Sequence, residues 1–223
     1  MSIKYSEQSR IFRDFRSIPY SDYYYLIRFY EQYDQDLDHL PFDESLIMSY
    51  YYANALFETQ EYDLHIETSN YILEQSIIHN VRYIDGEDVY MTVLHKKTYA
   101  HLQLGEIEMA QNLATQLVRL DENQHAYTIL LQECFLAKRP SWVRPVLTAS
   151  AVSTILGGII TIIFSFFYLS LPAKAVLVPY SLLFVAAIGL FLTAIAYYKY
   201  ILAPVRQILK QAQIDKKKAK ALL

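Results

Sequence analysis

The chain has 223 residues, and its formal net charge of −3 hides two oppositely charged parts. Residues 1–137 carry 9 Lys and Arg against 22 Asp and Glu, whereas residues 138–223 carry 11 Lys and Arg against one acid, Asp215. An acidic N-terminal part excludes the basic face that nucleic acids require, so we expect no nucleic-acid partner. A single cysteine, Cys134, excludes an internal disulfide framework and a cysteine-based metal site.

Residues 1–138 predict an all-α head, because glycine is scarce and apolar residues recur at helical spacing. A short amphipathic helix is expected within residues 1–19, and Asp22 is a typical N-cap for a second helix that reaches about Asp38. Further helices are expected at 43–58, 64–78, 87–103, 106–119 and 123–138, with a loop at 79–86. The N-terminus lacks the apolar core of a signal peptide, so the head should stay in the compartment where it is made.

The expected helices form two pairs, 43–58 with 64–78 and 87–103 with 106–119. The second pair aligns with the first when the sequence is shifted by about 45 residues, which places residues 60–63 on residues 105–108. The second copy resembles a tetratricopeptide repeat at six positions: Gly105, Ala110, Ala114, Leu117, Leu120 and Asp121. In that family small residues let the two helices approach closely, and the glycine forms the tight turn. The first copy has Gln60 and His65 where the family has Gly and Ala, and the spacing exceeds the family's repeat of about 34 residues. The resemblance implies stacked helical hairpins over 43–138; an irregular helical bundle is the alternative.

This resemblance also implies that the first helix of each pair lines a concave groove. The groove positions of the family fall on six residues of this chain: Tyr50, Asn54, Phe57, His95, Tyr99 and Gln103. An asparagine amide pairs with an extended peptide backbone, and tyrosine offers a large contact area at low entropic cost. The head holds 16 of the 21 tyrosines, including the triplets 23–25 and 50–52. Three consecutive helical residues cannot all face inward, although core packing of these rings remains the alternative.

Catalytic motifs are missing from the sequence. It contains no glycine-rich phosphate loop and no nucleophile elbow, and its six histidines form no HExxH pattern. Asp34, Asp36 and Asp38 resemble the start of a calcium loop, but His39 and Ser45 stand where Gly and Glu are required. We therefore expect a protein that is not an enzyme and that uses no metal or cofactor.

Residues 139–203 predict a transmembrane helical hairpin. The ranges 145–173 and 175–198 contain no charged residue, and about 20 apolar helical residues cross a bilayer core. Pro172, Lys174 and Pro179 interrupt the apolar run, so two spans are expected at about 145–171 and 175–200. A buried helical hairpin within a soluble protein is the alternative.

The residues that flank the apolar ranges predict an orientation. Aromatic and cationic residues that mark the membrane interface stand at both ends: Trp142, Arg144, Tyr197, Tyr198 and Lys199. The connecting loop has only Lys174, whereas both outer flanks are rich in Lys and Arg, so both termini should be cytoplasmic. Residues 204–223 predict a basic amphipathic tail that contacts anionic lipid headgroups, either as a helix lying on the membrane surface or as a cytoplasmic extension of the second span.

Together these features predict an integral membrane adaptor, whose head binds a protein or peptide partner at the cytoplasmic membrane face. One alternative is a small membrane effector, whose hairpin oligomerises or perturbs the bilayer under control of the head. The first span has a small-residue face of Ala149, Ser153 and Gly157, which we expect to pack on the second span and which permits this alternative. A homo-oligomer would fit that alternative. The other is an accessory subunit of a larger membrane complex.

Overall fold

The computed structural model describes residues 9–37, 39–138, 143–167, 184, 187–192, 194–195 and 197–221. The chain divides into two compact units, Met1–Cys134 and Phe135–Leu223. Both units are built mainly from helices, as the sequence predicts.

Eight helices and one small hairpin are described in the N-terminal part of the chain. The helices are α1 (Arg10–Arg16), α2 (Tyr23–Gln32), α3 (Asp34–Leu37), α4 (Phe42–Glu58), α5 (Tyr62–Ile78), α6 (Val89–Gln103), α7 (Ile107–Leu120) and α8 (His125–Ala137). The two strands are β1 (Tyr83–Ile84) and β2 (Glu87–Asp88). Each of α5, α6 and α7 packs on the helix before it in this series, and α2 packs on α4.

Helix α2 begins as predicted but ends early. The Asp22 carboxylate accepts a hydrogen bond from the Tyr25 backbone N–H at 3.3 Å, which is the expected N-cap. The helix stops at Gln32 instead of Asp38, because Tyr33 leaves the helical conformation and a separate turn, α3, follows. Asp34 and Asp36 lie in the first turn of α3, where their charges favour a new helix start.

The predicted loop at 79–86 contains a β-hairpin. Ile84 pairs with Glu87 and Tyr83 pairs with Asp88, so only Asp85 and Gly86 connect the strands. Both connecting residues have positive φ, 48° and 89°, which is the type I′ geometry that Asp-Gly favours. The hairpin sets the Asp85 and Glu87 carboxylates close to α4.

The hydrophobic core of the first unit joins α1, α2 and α4 to the helices that follow. Its fully buried side chains include Phe12, Phe15, Leu46, Ile72 and Ile84. A second cluster of Leu94, Leu117 and Leu130 joins α6, α7 and α8. The Glu44 carboxylate, buried near the start of α4, accepts from the Ser9 backbone N–H at 3.0 Å and ties α1 to α4.

The turns after α4 and α6 have the same geometry, although only one of them contains glycine. The Glu61 N–H donates to the Leu56 carbonyl, and the Glu106 N–H donates to the His101 carbonyl, both at 2.9 Å. Gln60 and Gly105 occupy equivalent left-handed positions, with φ of 67° and 80°. A Cβ atom at Gly105 would meet nothing within 4 Å. Gly105 therefore serves the left-handed turn, and no close approach of another helix requires a glycine there.

Substitutions at these two turns should change the free energy of unfolding in opposite directions. A side chain in the left-handed region costs about 1–2 kcal/mol, offset by the lower chain entropy of non-glycine residues. We expect Gly105→Ala to lower the stability by about 1 kcal/mol and Gln60→Gly to raise it by a similar amount. Urea unfolding of the full chain, followed by circular dichroism, measures both. Changes of the same sign would contradict the shared turn geometry.

The second unit contains α9 (Val143–Phe167), a π-helical turn at Tyr198–Leu202, and α10 (Ala203–Ala221). Residues 184, 187–192, 194–195 and 197 are also helical. Trp142 and the predicted connection at 171–179 lie outside the described residues. Within the described part of the chain, no helix combines the length and the apolar composition needed to cross a membrane.

The C-terminal helix and the turn before it separate apolar from charged residues. Ile201, Val205 and Ala212 are buried, and Ile208 and Leu209 are half-buried. The exposed cations of this segment are Lys199, Arg206, Lys210, Lys217 and Lys218. Two of them lie over tyrosine rings, because Lys199 is 5.8 Å from the Tyr200 ring centre and Arg206 is 6.0 Å from that of Tyr198.

Candidate functional site: a tyrosine-lined cleft

A cavity of about 430 Å³ opens beside α4 in the first unit. We call it the tyrosine cleft. It is lined by Tyr20, Tyr23, Tyr50, Tyr51, Asn54, Glu58, Ile84, Asp85, Glu87 and Lys96. Ring faces, hydroxyls, one side-chain amide and charged groups thus converge on one concave surface.

Helix α4 supplies one wall of the tyrosine cleft. Tyr50, Asn54 and Glu58 follow one another at four-residue intervals, which places them on one face of the helix. Lys96 of α6 and the β-hairpin complete the surface around this face. Tyr20, from the connection between α1 and α2, and Tyr23 of α2 close the remaining side.

Tyr51 is held by a stack and a hydrogen bond. Its ring lies parallel to that of Tyr20 with 4.4 Å between centres, and its hydroxyl donates to the Asp85 carboxylate at 2.5 Å. Burial, followed by the hydrogen bond to Asp85, raises the pKa of the Tyr51 phenol, so the hydroxyl stays protonated. Arg16 also donates to Asp85 at 2.7 Å, and its guanidinium lies 5.7 Å from the Tyr20 ring centre.

Tyr50 connects the core to the rim of the tyrosine cleft. The residue is 2% exposed, and its hydroxyl donates to Oε2 of Glu87 at 2.5 Å. Burial is the main reason that the pKa of the Tyr50 phenol is raised, and Glu87 adds to the effect. Because Glu87 itself is exposed, a buried hydroxyl here orients a carboxylate that solvent and ligands reach.

Asn54 lies one helical turn from Tyr50 and one turn from Glu58, and it is half-buried. Next to it, the Lys96 ammonium donates to Oε1 of Glu58 at 3.3 Å and lies 5.0 Å from the Phe57 ring centre. The asparagine amide is therefore flanked by a tyrosine at one end and an ion pair at the other. This arrangement suits a polar, extended ligand with one donor and one acceptor.

The six predicted groove residues do not form one continuous wall. Tyr50 and Asn54 line the tyrosine cleft, and Phe57 contacts Tyr99 edge-on with 5.7 Å between ring centres. His95 contacts the Tyr127 ring of α8 instead, at 5.5 Å, and burial lowers the pKa of its imidazole. Gln103 is the exposed last residue of α6.

Eight of the ten lining residues lie outside the six predicted groove positions, and they include Tyr20, Tyr23, Asp85 and Glu87. The repeat resemblance begins at residue 43, so it carries no information about the N-terminal tyrosines. The dipeptide Asp85-Gly86 could have predicted the hairpin that carries Asp85 and Glu87, because Asp-Gly is typical of a two-residue hairpin turn.

A larger cavity of about 660 Å³ lies between the ends of α5 and α7 and the start of α6. Its lining includes Ile77, Met91, Leu120 and Tyr127, and none of the six predicted groove residues. It offers fewer fixed polar groups than the tyrosine cleft, which makes it the weaker candidate. Among the described residues, no group of three or more His, Cys, Asp or Glu is placed to hold a metal ion.

No family model matches this chain, and neither a curated protein nor a solved structure is significantly similar to it. Its function is therefore argued from the geometry and charge of the site.

Proposed function

We propose that this protein is a membrane-anchored adaptor, whose head binds an extended segment of a protein partner in the tyrosine cleft. The observation that carries the proposal is the position of Asn54, an amide set among tyrosines in a concave surface of about 430 Å³. Clefts of this size, with aromatic walls and a few placed polar groups, are typical binding sites.

The chemistry of the cleft favours a peptide over a small metabolite. The Asn54 amide can donate to a backbone carbonyl and accept from a backbone N–H of the same ligand residue. Tyr20 and Tyr51 are already stacked, so their rings lose little freedom when a ligand covers them. The repeat-like hairpins from α4 to α7 would support such a groove in the manner of tetratricopeptide domains.

The membrane part of the proposal rests on the two uncharged ranges, 145–173 and 175–198, and on the cationic residues that follow them. Such ranges are long enough for two helical spans. The exposed cations of α10 would lie against anionic headgroups, each contributing about 1 kcal/mol near the surface. Binding at the head would then bring the partner to that membrane face.

Site-specific photo-crosslinking in membranes tests the adaptor function. A photoreactive phenylalanine derivative at Tyr23, which lines the cleft and whose ring it resembles, should give an adduct with another protein, whereas the same group at Glu74 on the exposed face of α5 should give none. Adducts whose masses are multiples of the chain alone would favour a homo-oligomeric effector. A chain that gives no adduct at residue 23 in its native membrane would contradict the adaptor function.

Accessibility of a single cysteine should reveal the orientation of the proposed hairpin. Buried Cys134, whose pKa is raised to about 11 mainly by burial, is first replaced by serine. A new cysteine at Ala173 should then react only from the side opposite the head, because both outer flanks carry most of the cations. A control cysteine at Lys217 should react from the cytoplasmic side. Labelling of residue 173 from the cytoplasmic side would refute this topology.

A further inference from the structure

We propose that the tyrosine cleft selects an arginine side chain of the bound peptide, with Glu87 as the partner of its guanidinium. This inference rests on the proposed function, because it names the chemistry of the segment that the cleft binds. Three observations carry it: the charge balance of the cleft, the hydrogen bonding of Glu87, and the surroundings of Arg16.

The charge balance of the cleft leaves one carboxylate without a cation. Glu58 is paired with Lys96 at 3.3 Å, and Asp85 is paired with Arg16 at 2.7 Å. Glu87, the third carboxylate of the lining, forms no ion pair with any of the described residues. A ligand with a single positive charge therefore completes the balance.

The geometry of Glu87 presents this charge in a fixed direction. Its Oε2 atom accepts from the buried Tyr50 hydroxyl, whereas its Oε1 atom has no hydrogen-bond partner among the described residues. A carboxylate held at one oxygen and open at the other can receive a charge-assisted hydrogen bond from a ligand. Because Tyr50 is anchored in the core, the orientation of Glu87 is set before the ligand arrives.

The chain itself binds an arginine at another carboxylate of the cleft lining, Asp85. The Arg16 guanidinium donates to Asp85 and lies 5.7 Å from the Tyr20 ring centre. Tyr20 and Tyr23 belong, like Asp85 and Glu87, to the lining of the cleft. In this structure a carboxylate and a tyrosine ring, Asp85 and Tyr20, thus already bind one guanidinium group.

Arginine fits this combination better than lysine. A guanidinium is planar, stacks on aromatic rings and is less strongly hydrated than an ammonium, so it loses less solvation in a tyrosine-lined cleft. It can also donate to Glu87 while a second N–H group reaches the Asn54 amide oxygen. A lysine ammonium would satisfy the charge but would gain less from the ring faces.

Matched peptides test the inference on the full chain. Acetylated, amidated Gly-Gly-X-Gly-Gly peptides carry Arg, Lys or citrulline at X, and citrulline has the shape of arginine without its charge. Binding is measured by NMR at low salt. We expect the arginine peptide to bind about tenfold or more tightly than the citrulline peptide, as for loss of one charge-assisted hydrogen bond. The lysine peptide should fall between them.

Two variants locate the interaction. Glu87→Gln keeps an acceptor for the Tyr50 hydroxyl and removes the charge, so it should reduce the affinity for the arginine peptide to that for citrulline. Glu74→Gln removes one charge from the exposed face of α5 and should leave all three affinities unchanged. Circular dichroism of both variants should match the parent chain.

Equal binding of the arginine and citrulline peptides would overturn the inference, and so would binding of neither peptide. An undiminished affinity of Glu87→Gln for the arginine peptide would also overturn it. In each of these cases the crosslink at residue 23 decides the wider proposal. If the crosslink is still observed, the adaptor function is retained and the bound peptide has a different chemistry. If neither the crosslink nor arginine-selective binding is observed, the adaptor function is refuted as well.

Discussion

Lowering the pH from 6.5 to 4 should reduce the free energy of unfolding by about 3 kcal/mol through His65 alone. His65 is 1% exposed, and burial is the main cause that lowers the pKa of its imidazole to about 4. Lys96, Lys97 and His101 of α6 lower this pKa further, against the opposing effect of the Ala53 carbonyl.

The direction follows from the two states of the imidazole. Above pH 6.5 it is neutral in both the folded and the unfolded chain, so its contribution to stability is complete. Between pH 6.5 and about 4 the unfolded chain binds a proton that the folded chain excludes, so stability falls with each pH step. In the fold, Nδ1 lies 2.7 Å from the Ala53 carbonyl, and Nε2 lies 3.2 Å from the Ser69 hydroxyl.

Urea unfolding of the parent chain and of His65→Asn across this pH range measures the effect. Asparagine keeps a donor near the Ala53 carbonyl and does not titrate, so the variant should start less stable but lose about 3 kcal/mol less on acidification. Carboxylates elsewhere in the acidic head titrate equally in both proteins. If the two pH profiles run parallel, His65 is not the source of the acid sensitivity.

His65 also shows how far the repeat resemblance reaches. It stands where the second copy has Ala110, and both residues are buried. The aligned turns at Gln60 and Gly105 have the same geometry, so the helix pairing from α4 to α7 was predictable from the spacing of these positions. That a histidine would be buried at this position was not predictable. Its polar partners, the Ala53 carbonyl and the Ser69 hydroxyl, are brought together only in the folded chain.

The candidate site was less predictable than the helices. Periodicity identified the face of α4 that carries Tyr50 and Asn54, since a helix fixes the relation between residues four positions apart. The opposite side of the cleft depends on long-range contacts, such as Tyr20 on Tyr51 and Asp85 with Arg16. No local pattern encodes these contacts. The contact of His95 with Tyr127 was unpredictable for the same reason, since Tyr127 belongs to α8, a helix outside the aligned pairs.

Removing two contact groups from the tyrosine cleft should abolish capture of the partner while the head stays folded. In Asn54→Ala with Tyr20→Ala, the ligand loses one amide and one aromatic surface. The cost should be about 2–4 kcal/mol, because a few central residues carry most of the energy of an interface. Affinity should therefore fall by roughly 30- to 1000-fold, which removes a micromolar partner from a pull-down.

These two positions suit the experiment better than Asn54 with Tyr99, which are both among the six predicted groove residues. Tyr99 contacts Phe57, and its removal would disturb packing between α4 and α6. Tyr20 is 46% exposed, and its ring contacts Tyr51 at the surface.

A matched control removes the same two residue types elsewhere. Asn112→Ala with Tyr24→Ala deletes an exposed asparagine of α7 and a tyrosine of α2 that is 78% exposed. The partner crosslinked at residue 23 is the ligand to be measured, and circular dichroism should be the same for both double variants. Retained capture by the cleft variant, or equal loss in the control, would show that binding does not depend on the tyrosine cleft. The membrane-effector alternative would then become the better account of the chain.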